Sequence, residues 1–217
     1  MKTAIFSDFD GTISTRDIGY SIFNHFSGGK NNDLLPDWKS GKMTTRDCLL
    51  AEAAMVNASQ EEIESYLEQF EIDPGFKDLV ALCDQKEIPL KVISDGLDFY
   101  IKYVLTKHDL GHLDYLANHG RLANNTIEIE FPYQNKSCTS CGICKGEQIK
   151  NFRDQFNGDG RVIFIGDGYS DACAAGEADI LFAKKDLVEY CEKKNIPYNS
   201  FDSFADVIAA LEKQGLL

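Results

Sequence analysis

Thr3-Ala4-Ile5-Phe6-Ser7-Asp8-Phe9-Asp10-Gly11-Thr12 decides the fold. An apolar strand runs here into two carboxylates and is closed by Gly11. A strand of this kind is normally buried, so charge at its carboxyl end is costly unless that end opens on a site. Side chains alternate along a strand, which puts Asp8 and Asp10 on one face and Phe9 on the other. Two like charges held that close call for a cation between them. The competing reading is a surface turn that happens to be acidic.

Beyond this stretch the period changes. Residues 17–26 carry Ile18, Ile22, Phe23 and Phe26 at helical spacing, residues 34–39 form a short segment around Pro36, and residues 44–56 read as a helix entered through Thr44 or Thr45. Ser59 with Glu62 is a capping box that opens another helix to about Phe70. Pro74 and Gly75 punctuate the end of this all-helical block. From Phe76 helix and strand alternate: helix 76–86, strand 90–93 ending in Ser94-Asp95-Gly96, helix 98–107 and strand 115–118. A β-ribbon follows from the runs 120–122 and 126–131, then a cysteine-rich loop and helix 145–156. Strand 161–165 ends in Gly166-Asp167-Gly168, before helix 170–176, strand 180–182 and two closing helices. The pattern predicts an α/β fold: a Rossmann-like parallel sheet with helices on both faces and right-handed crossovers. Residues 1–13 and 74–217 form its catalytic core, residues 14–73 a helical cap inserted after the first strand, and the ribbon a small addition.

Composition bounds what the carboxylates belong to. The chain's 217 residues suit one domain of ordinary size plus a modest insertion, and 43% hydrophobic residues suffice for a core. A net charge of -13 argues against nucleic acid as partner, since that binding relies on Lys and Arg neutralising phosphates. The amino terminus meets Asp8 and Asp10 before any apolar signal-peptide core, and no later apolar run approaches membrane-spanning length. The expectation is a cytoplasmic chain with no membrane partner. Seven cysteines, an odd number, fit a reducing compartment better than a disulfide framework.

Cys48, Cys83, Cys173 and Cys191 read as small core residues. Cys138-x-x-Cys141-x-x-Cys144 has metal-like spacing. Three readings stand side by side: a structural Zn²⁺ completed by His119 or another polar group, thiols in a tight loop, or a regulatory disulfide. In each, the loop fixes Lys145, which Cys144 directly precedes. His25, His108 and His112 read as ordinary surface or core residues.

In a parallel sheet, ligands bind beyond the carboxyl ends of the strands. Asp8 and Asp10, Ser94 and Asp95, and Asp167 and Asp171 all fall at such ends. A Ser-Asp-Gly or Gly-Asp-Gly alone is more often a turn or helix cap. Together they describe a pocket of hydroxyl and carboxylate groups. Mg²⁺ suits it, because that ion takes a few carboxylates and the oxygens of a substrate phosphate. With the charge cancelled, Asp8 can attack phosphorus and form an aspartyl-phosphate. Asp10 can protonate the leaving oxygen and later deprotonate the attacking water. Ser94 and a lysine can hold the phosphoryl oxygens.

Four motifs in order, Asp8-Phe9-Asp10-Gly11-Thr12, Ser94-Asp95-Gly96, Lys145 opening a helix, and Gly166-Asp167-Gly168-Tyr169-Ser170-Asp171, resemble those of the haloacid dehalogenase-like phosphatases. The resemblance spans nearly the whole chain. It implies Asp8 as nucleophile and Asp10 as acid/base. The Ser94-Asp95-Gly96 motif and Lys145 would meet the phosphoryl oxygens, and Mg²⁺ would be held by Asp8, the Asp10 carbonyl and Asp167. Asp171 would support them from behind or pair with Lys145. Asp10 also marks phosphatases and sugar-phosphate mutases among these proteins, and the helical block falls where they place a cap that reads the leaving group.

Within the family, Asn118-His119-Gly120, Ile129-Glu130-Phe131-Pro132 and Cys144-Lys145 look like the branch that hydrolyses 2-hydroxy-3-keto-5-methylthiopentenyl-1-phosphate in methionine salvage. Cys144-Lys145 and Gly166-Asp167-Gly168 also resemble the phosphoethanolamine/phosphocholine phosphatases, near phosphoserine phosphatase. Asp17 falls where the phosphoserine enzymes place an acid near the substrate amine; it reads equally as a helix N-cap. Their carboxylate-gripping arginine corresponds to a position near Leu50, with Arg46 one turn earlier. The implied function is a Mg²⁺-dependent phosphomonoesterase acting on a small metabolite. A catalytically silent zinc-loop interaction protein is the reading from another class, and phosphoryl transfer to a sugar a third.

Overall fold

The computed structural model describes residues 2–135, 140–156 and 158–217. β1 (Lys2–Ser7) leads into four helices, α1 (Ile18–Phe26), α2 (Leu35–Lys39), α3 (Thr45–Met55) and α4 (Gln60–Leu67). Three of these start on side chains that accept otherwise unpaired backbone N–H groups. Asp17 accepts from Tyr20, Thr44 from Asp47, and Ser59 forms a reciprocal box with Glu62. α4 stops at Leu67, three residues before the limit expected from its apolar pattern. At the neck of this segment Ser14 bridges Ile72, while the N–H of Asp73 donates to the Ile13 carbonyl at 2.8 Å.

The chain continues through α5 (Pro74–Gln85), β2 (Leu90–Leu97), α6 (Asp98–Lys107), β3 (Tyr115–Ala123), β4 (Thr126–Glu130) and α7 (Lys145–Asp154). β5 (Gly160–Gly166), α8 (Ala172–Ala175), β6 (Ile180–Ala183), α9 (Asp186–Lys194), β7 (Asn199–Ser200) and α10 (Phe204–Lys213) complete it. Among the described residues the sheet has seven strands in the order β4-β3-β2-β1-β5-β6-β7, parallel except for the β3–β4 pair. The chain builds outward from β1 through β2 to β4 and then returns to β5 on the other side. That reversal puts the switch point, where such sheets bind ligands, at the carboxyl ends of β1 and β5.

Both faces of β1 are buried. Ile5 joins Val92, Ile163 and Phe182 beneath α5, α6 and α10; Ala4 and Phe6 join Ile93, Val162 and Phe164 beneath α7, α8 and α9. Each large side chain buried in this way contributes about 1.5–3 kcal/mol, which keeps the carboxyl end of β1 rigid. Among the described residues no helix is long and apolar enough to cross a membrane.

The structure differs from the sequence pattern in four further places. The separate strand and ribbon are one strand, β3, parallel to β2 at its start and antiparallel to β4 at its end. Asn124 and Asn125 both have positive φ, 52° and 63°, which suits a two-residue hairpin turn. β2 extends through Leu97 with its register shifting after Ile93, so Ser94-Asp95-Gly96 lies in an irregular part of the strand rather than beyond it. The helix read over 170–176 is a 3₁₀ turn, Tyr169–Asp171, followed by α8. β7 has two residues, too few for any periodicity.

Candidate active site

The β1 turn passes close against the end of β5. Gly11 makes this possible: its φ is +72°, and a Cβ there would lie 2.5 Å from Asp167 Oδ2. Asp8 emerges from β1 and meets Lys145, the first residue of α7, whose Nζ lies 2.6 Å from Asp8 Oδ1 and 2.5 Å from Asp171 Oδ1. The other oxygen of Asp171 accepts the N–H groups of Asp167 (2.9 Å) and Gly168 (3.1 Å). Both Asp171 oxygens are therefore committed to holding the lysine and the β5 turn.

Asp167 accepts the Thr12 hydroxyl at 3.2 Å and the Lys185 ammonium at 2.8 Å. Lys185 Nζ also donates to the Gly11 carbonyl at 2.8 Å. Its backbone, φ 49° and ψ -129°, lies where non-glycine residues rarely go, and such strain persists only when the surroundings impose it. Asp10 sits one alternation beyond Asp8. Its Oδ1 accepts the N–H groups of Ile18 (2.9 Å) and Gly19 (3.3 Å), and its Oδ2 accepts the Tyr100 hydroxyl (2.6 Å) and, more distantly, that of Ser94 (3.4 Å).

These groups open on a cavity of about 480 Å³ between the strand ends and the first helices. Its floor includes Asp8, Asp10, Ser94 and Asp167; its far side includes Asp17, Phe23, Leu35, Trp38, Leu49 and Glu52. Asp17 both caps α1 through Oδ1 and lines this space. Asp17 is solvent-exposed; desolvation where it meets the surrounding protein, and then the charge of Asp10, push its carboxyl above the ordinary value.

Two residues singled out in the sequence are used differently. The Asp95 side chain turns to the end of the cysteine loop, accepting from Asn118 Nδ2 and from the Ile143 N–H, each at 3.0 Å. Arg46 is not on the cavity wall; its guanidinium stacks on Phe131 at 5.3 Å. Cys138 lies outside the described residues, while Cys144 occupies the N-cap position of α7. Cys48, Cys83 and Cys191 are buried as expected, and Cys173 is half-buried beside the start of α7, where it accepts the Gly146 N–H.

Lys185, Tyr100 and Glu52 were missed in the sequence. Applied to the end of β6, the strand-end rule points at Lys184 and Lys185. Tyr100 and Glu52 look like any other residues of amphipathic helices.

The electrostatics favour a cation beside these carboxylates. Burial, then the charges of Asp171 and Asp167, raise the Asp8 carboxyl well above the ordinary range despite Lys145. Burial likewise raises Asp167, though Lys185 opposes it. Burial would lower Lys145, but Asp171 and Asp8 outweigh it and keep the ammonium charged. Oxygens of Asp8, Asp167 and Asp171 lie within 4.8 Å of one another. With Asp171 committed, Asp8 and Asp167 are the carboxylates left for a hard cation, and oxygen donors of this kind fit Mg²⁺.

The sheet, the helical insertion and this set of groups define the class, the haloacid dehalogenase-like phosphatases. A solved phosphoserine phosphatase, an analogue of its phospho-aspartyl intermediate, superposes with a TM-score of 0.73 at 18% identity, covering 96% of this chain and 98% of that one. The model of the family described as Putative Phosphatase matches residues 3–199, and the chain belongs to that family.

Over 98% of its length the chain is 34% identical to the bifunctional enzyme MtnB/MtnX of Bacillus licheniformis, and it spans 50% of that relative. It is 30% identical to the polyol phosphate phosphatase PYP1 of Saccharomyces cerevisiae, covering 94% of it. It is 29% identical to the 2-hydroxy-3-keto-5-methylthiopentenyl-1-phosphate phosphatase of Bacillus mycoides, covering 97%.

Proposed function

We propose that this chain is a Mg²⁺-dependent phosphomonoesterase in which Asp8 takes the phosphoryl group and Asp10 moves the protons. The observation that carries this reading is the division of labour between two carboxylates two residues apart: Asp8 is fixed by Lys145, Asp10 by N–H and O–H donors alone. Asp8, Asp167 and the Asp10 carbonyl would hold Mg²⁺, which when bound offsets the charge gathered between nucleophile and phosphate. Asp8 attacks phosphorus while Lys145 and Ser94 hold the phosphoryl oxygens. Asp10 gives its proton to the departing oxygen, then takes one from the water that cleaves the aspartyl-phosphate. Residues 14–73 act as the cap, pivoting at the Ser14–Ile72 neck and excluding water when closed.

For the leaving group, the apolar far wall of Phe23, Leu35, Trp38 and Leu49 supports an uncharged chain such as the methylthiopentenyl group of the Bacillus relatives' substrate. The polyol phosphates of the yeast relative are the second reading, favoured by Asp17, whose carboxylate can accept from hydroxyls. The displaced Arg46 counts against phosphoserine, whose carboxylate needs a cation. Phosphoethanolamine and phosphocholine remain the amine-bearing alternatives. At the cysteine loop, the proposed Zn²⁺ would hold the start of α7; metal quantification on parent and Cys138→Ser/Cys141→Ser protein tests it, equal zinc in both ruling it out. Ranking these phosphates by kcat/KM tests the substrate reading: the methylthiopentenyl phosphate should lead, and phosphoserine in first place would overturn it. The proposed setting is the cytoplasm, with a small phosphate monoester as partner.

A further inference from the structure

Tyr100 stands on α6 with 1% of its surface exposed. Its ring packs in the apolar core, 6.4 Å from Phe9 and 5.5 Å edge-on from Phe99. Its hydroxyl leaves that core and donates to Asp10 Oδ2 at 2.6 Å, closer than any other hydrogen bond described for that carboxylate. Two glycines make room for the pair. A Cβ on Gly96 would lie 1.9 Å from the Tyr100 oxygen and 2.5 Å from Asp10 Oδ2, and one on Gly19 would lie 3.0 Å from the same hydroxyl. Neither glycine has a positive φ, so both are there for space rather than for backbone freedom. A buried hydroxyl needs a partner, but a partner in the apolar core would not require two cleared positions from two different elements.

We propose that Tyr100 is a positioning residue for proton transfer at Asp10. The inference rests on the acid/base reading of Asp10. A carboxylate oxygen has two lone pairs. The Tyr100 O–H takes one on Oδ2, and the N–H groups of Ile18 and Gly19 hold Oδ1, so rotation of the carboxyl group about its Cβ–Cγ bond is fixed from both ends. The remaining lone pair of Oδ2 carries the long contact from the Ser94 hydroxyl at 3.4 Å and faces the cavity that both residues line. That bond is weak, and the leaving oxygen displaces it as Ser94 turns to the phosphoryl group. As the bond from phosphorus to the leaving oxygen breaks, the proton passes from Oδ2 to that oxygen. As water attacks, a proton returns to Oδ2 while the Asp8–phosphorus bond breaks. Tyr100 keeps its own proton in both steps.

Such a role depends on how much the leaving oxygen needs the proton. A nitrophenolate departs without much help, whereas an alkoxide does not. Tyr100→Phe removes the hydroxyl and keeps the ring. The experiment measures kcat/KM, which reports the step in which the leaving oxygen departs, for 4-nitrophenyl phosphate and glycerol 3-phosphate. It compares the parent, Tyr100→Phe, Asp10→Asn and the double variant, alongside melting temperature.

The expected result is a loss of about tenfold on glycerol 3-phosphate, a part of the roughly 10²- to 10⁴-fold that general acid catalysis supplies, with little change on the aryl ester and an unchanged melting temperature. In the Asp10→Asn background, Tyr100→Phe should cost nothing further, because the two residues act as a unit. Gly96→Ala, which drives the hydroxyl from Oδ2, should reproduce the dependence on leaving group. Equal losses on both substrates, no loss, or losses that multiply in the double variant would overturn the proposal. If Asp10→Asn alone keeps parental rates on both esters, the acid/base reading itself fails, a pattern distinct from a failure of Tyr100 only.

Discussion

Lys145 Nζ lies 2.6 Å from Asp8 Oδ1, although 137 positions separate the two residues. The lysine is completely buried, and its place is set at a distance. Asp95 and Asn118 hold the backbone at Ile143, two residues before α7 begins. The cation proposed to serve the nucleophile is thus held in place by a contact from β2 to Ile143, supported from β3.

Lys145→Met should destabilise the protein. It leaves Asp8 and Asp171 buried without their shared partner, a change that typically costs about 3–5 kcal/mol. Urea denaturation in Mg²⁺-free buffer measures it, and a variant as stable as the parent would show that the pair contributes nothing to the fold.

Asp10→Asn should slow turnover by about 10²- to 10⁴-fold while leaving in place the backbone carbonyl proposed to hold Mg²⁺. Calorimetric titration with Mg²⁺ separates the two effects. Lost metal affinity with unimpaired turnover of the bound enzyme would contradict the proton-transfer role.

Lys185→Met should tighten Mg²⁺ binding. The ammonium occupies Asp167 Oδ2 and the Gly11 carbonyl, so a cation arriving at Asp167 must compete with it. Weaker binding by the same titration would mean that Lys185 assembles the site instead of competing for it.

Glu52 gives a pH dependence with a defined sign. It is buried beside Asn31, and burial raises its carboxyl above the ordinary value. A folded-state value above the unfolded one means that ionising Glu52 costs stability. The fold is favoured below the unfolded value of about 4.3, and this contribution is lost as pH rises through the folded value. Glu52→Gln keeps an acceptor for Asn31, so it should melt higher than the parent near neutral pH and converge with it in acid. A melting difference independent of pH would contradict the assignment.

The catalytic floor was legible in the sequence because its residues obey a one-dimensional rule: polar groups ending apolar strands in a parallel sheet. Asp8, Asp10, Ser94 and Asp167 meet at the cavity, and Lys145 reaches them from the helix start where the motif order placed it. The far wall was not legible in this way. Arg46 is a candidate ligand only through the resemblance to the phosphoserine enzymes, one turn before the matching position near Leu50, and its guanidinium lies on Phe131 instead. Tyr100 has the burial of a core aromatic, and only the three-dimensional path of its hydroxyl tells it apart. The strand and ribbon merge because His119, in the gap between them, continues the ladder opposite Glu130, with Gly120 paired to Ile129.

The central claim is that Asp8 carries the phosphoryl group. Asp10→Asn protein, mixed briefly with Mg²⁺ and 4-nitrophenyl phosphate, should load Asp8 without needing an acid and then release phosphate slowly. Acid quenching, borohydride reduction of the acyl phosphate and peptide mass spectrometry locate the modified residue. The account predicts reduction at Asp8, absent from the Asp8→Asn/Asp10→Asn protein. Release of nitrophenol with no modified Asp8, or modification at another residue, would contradict it.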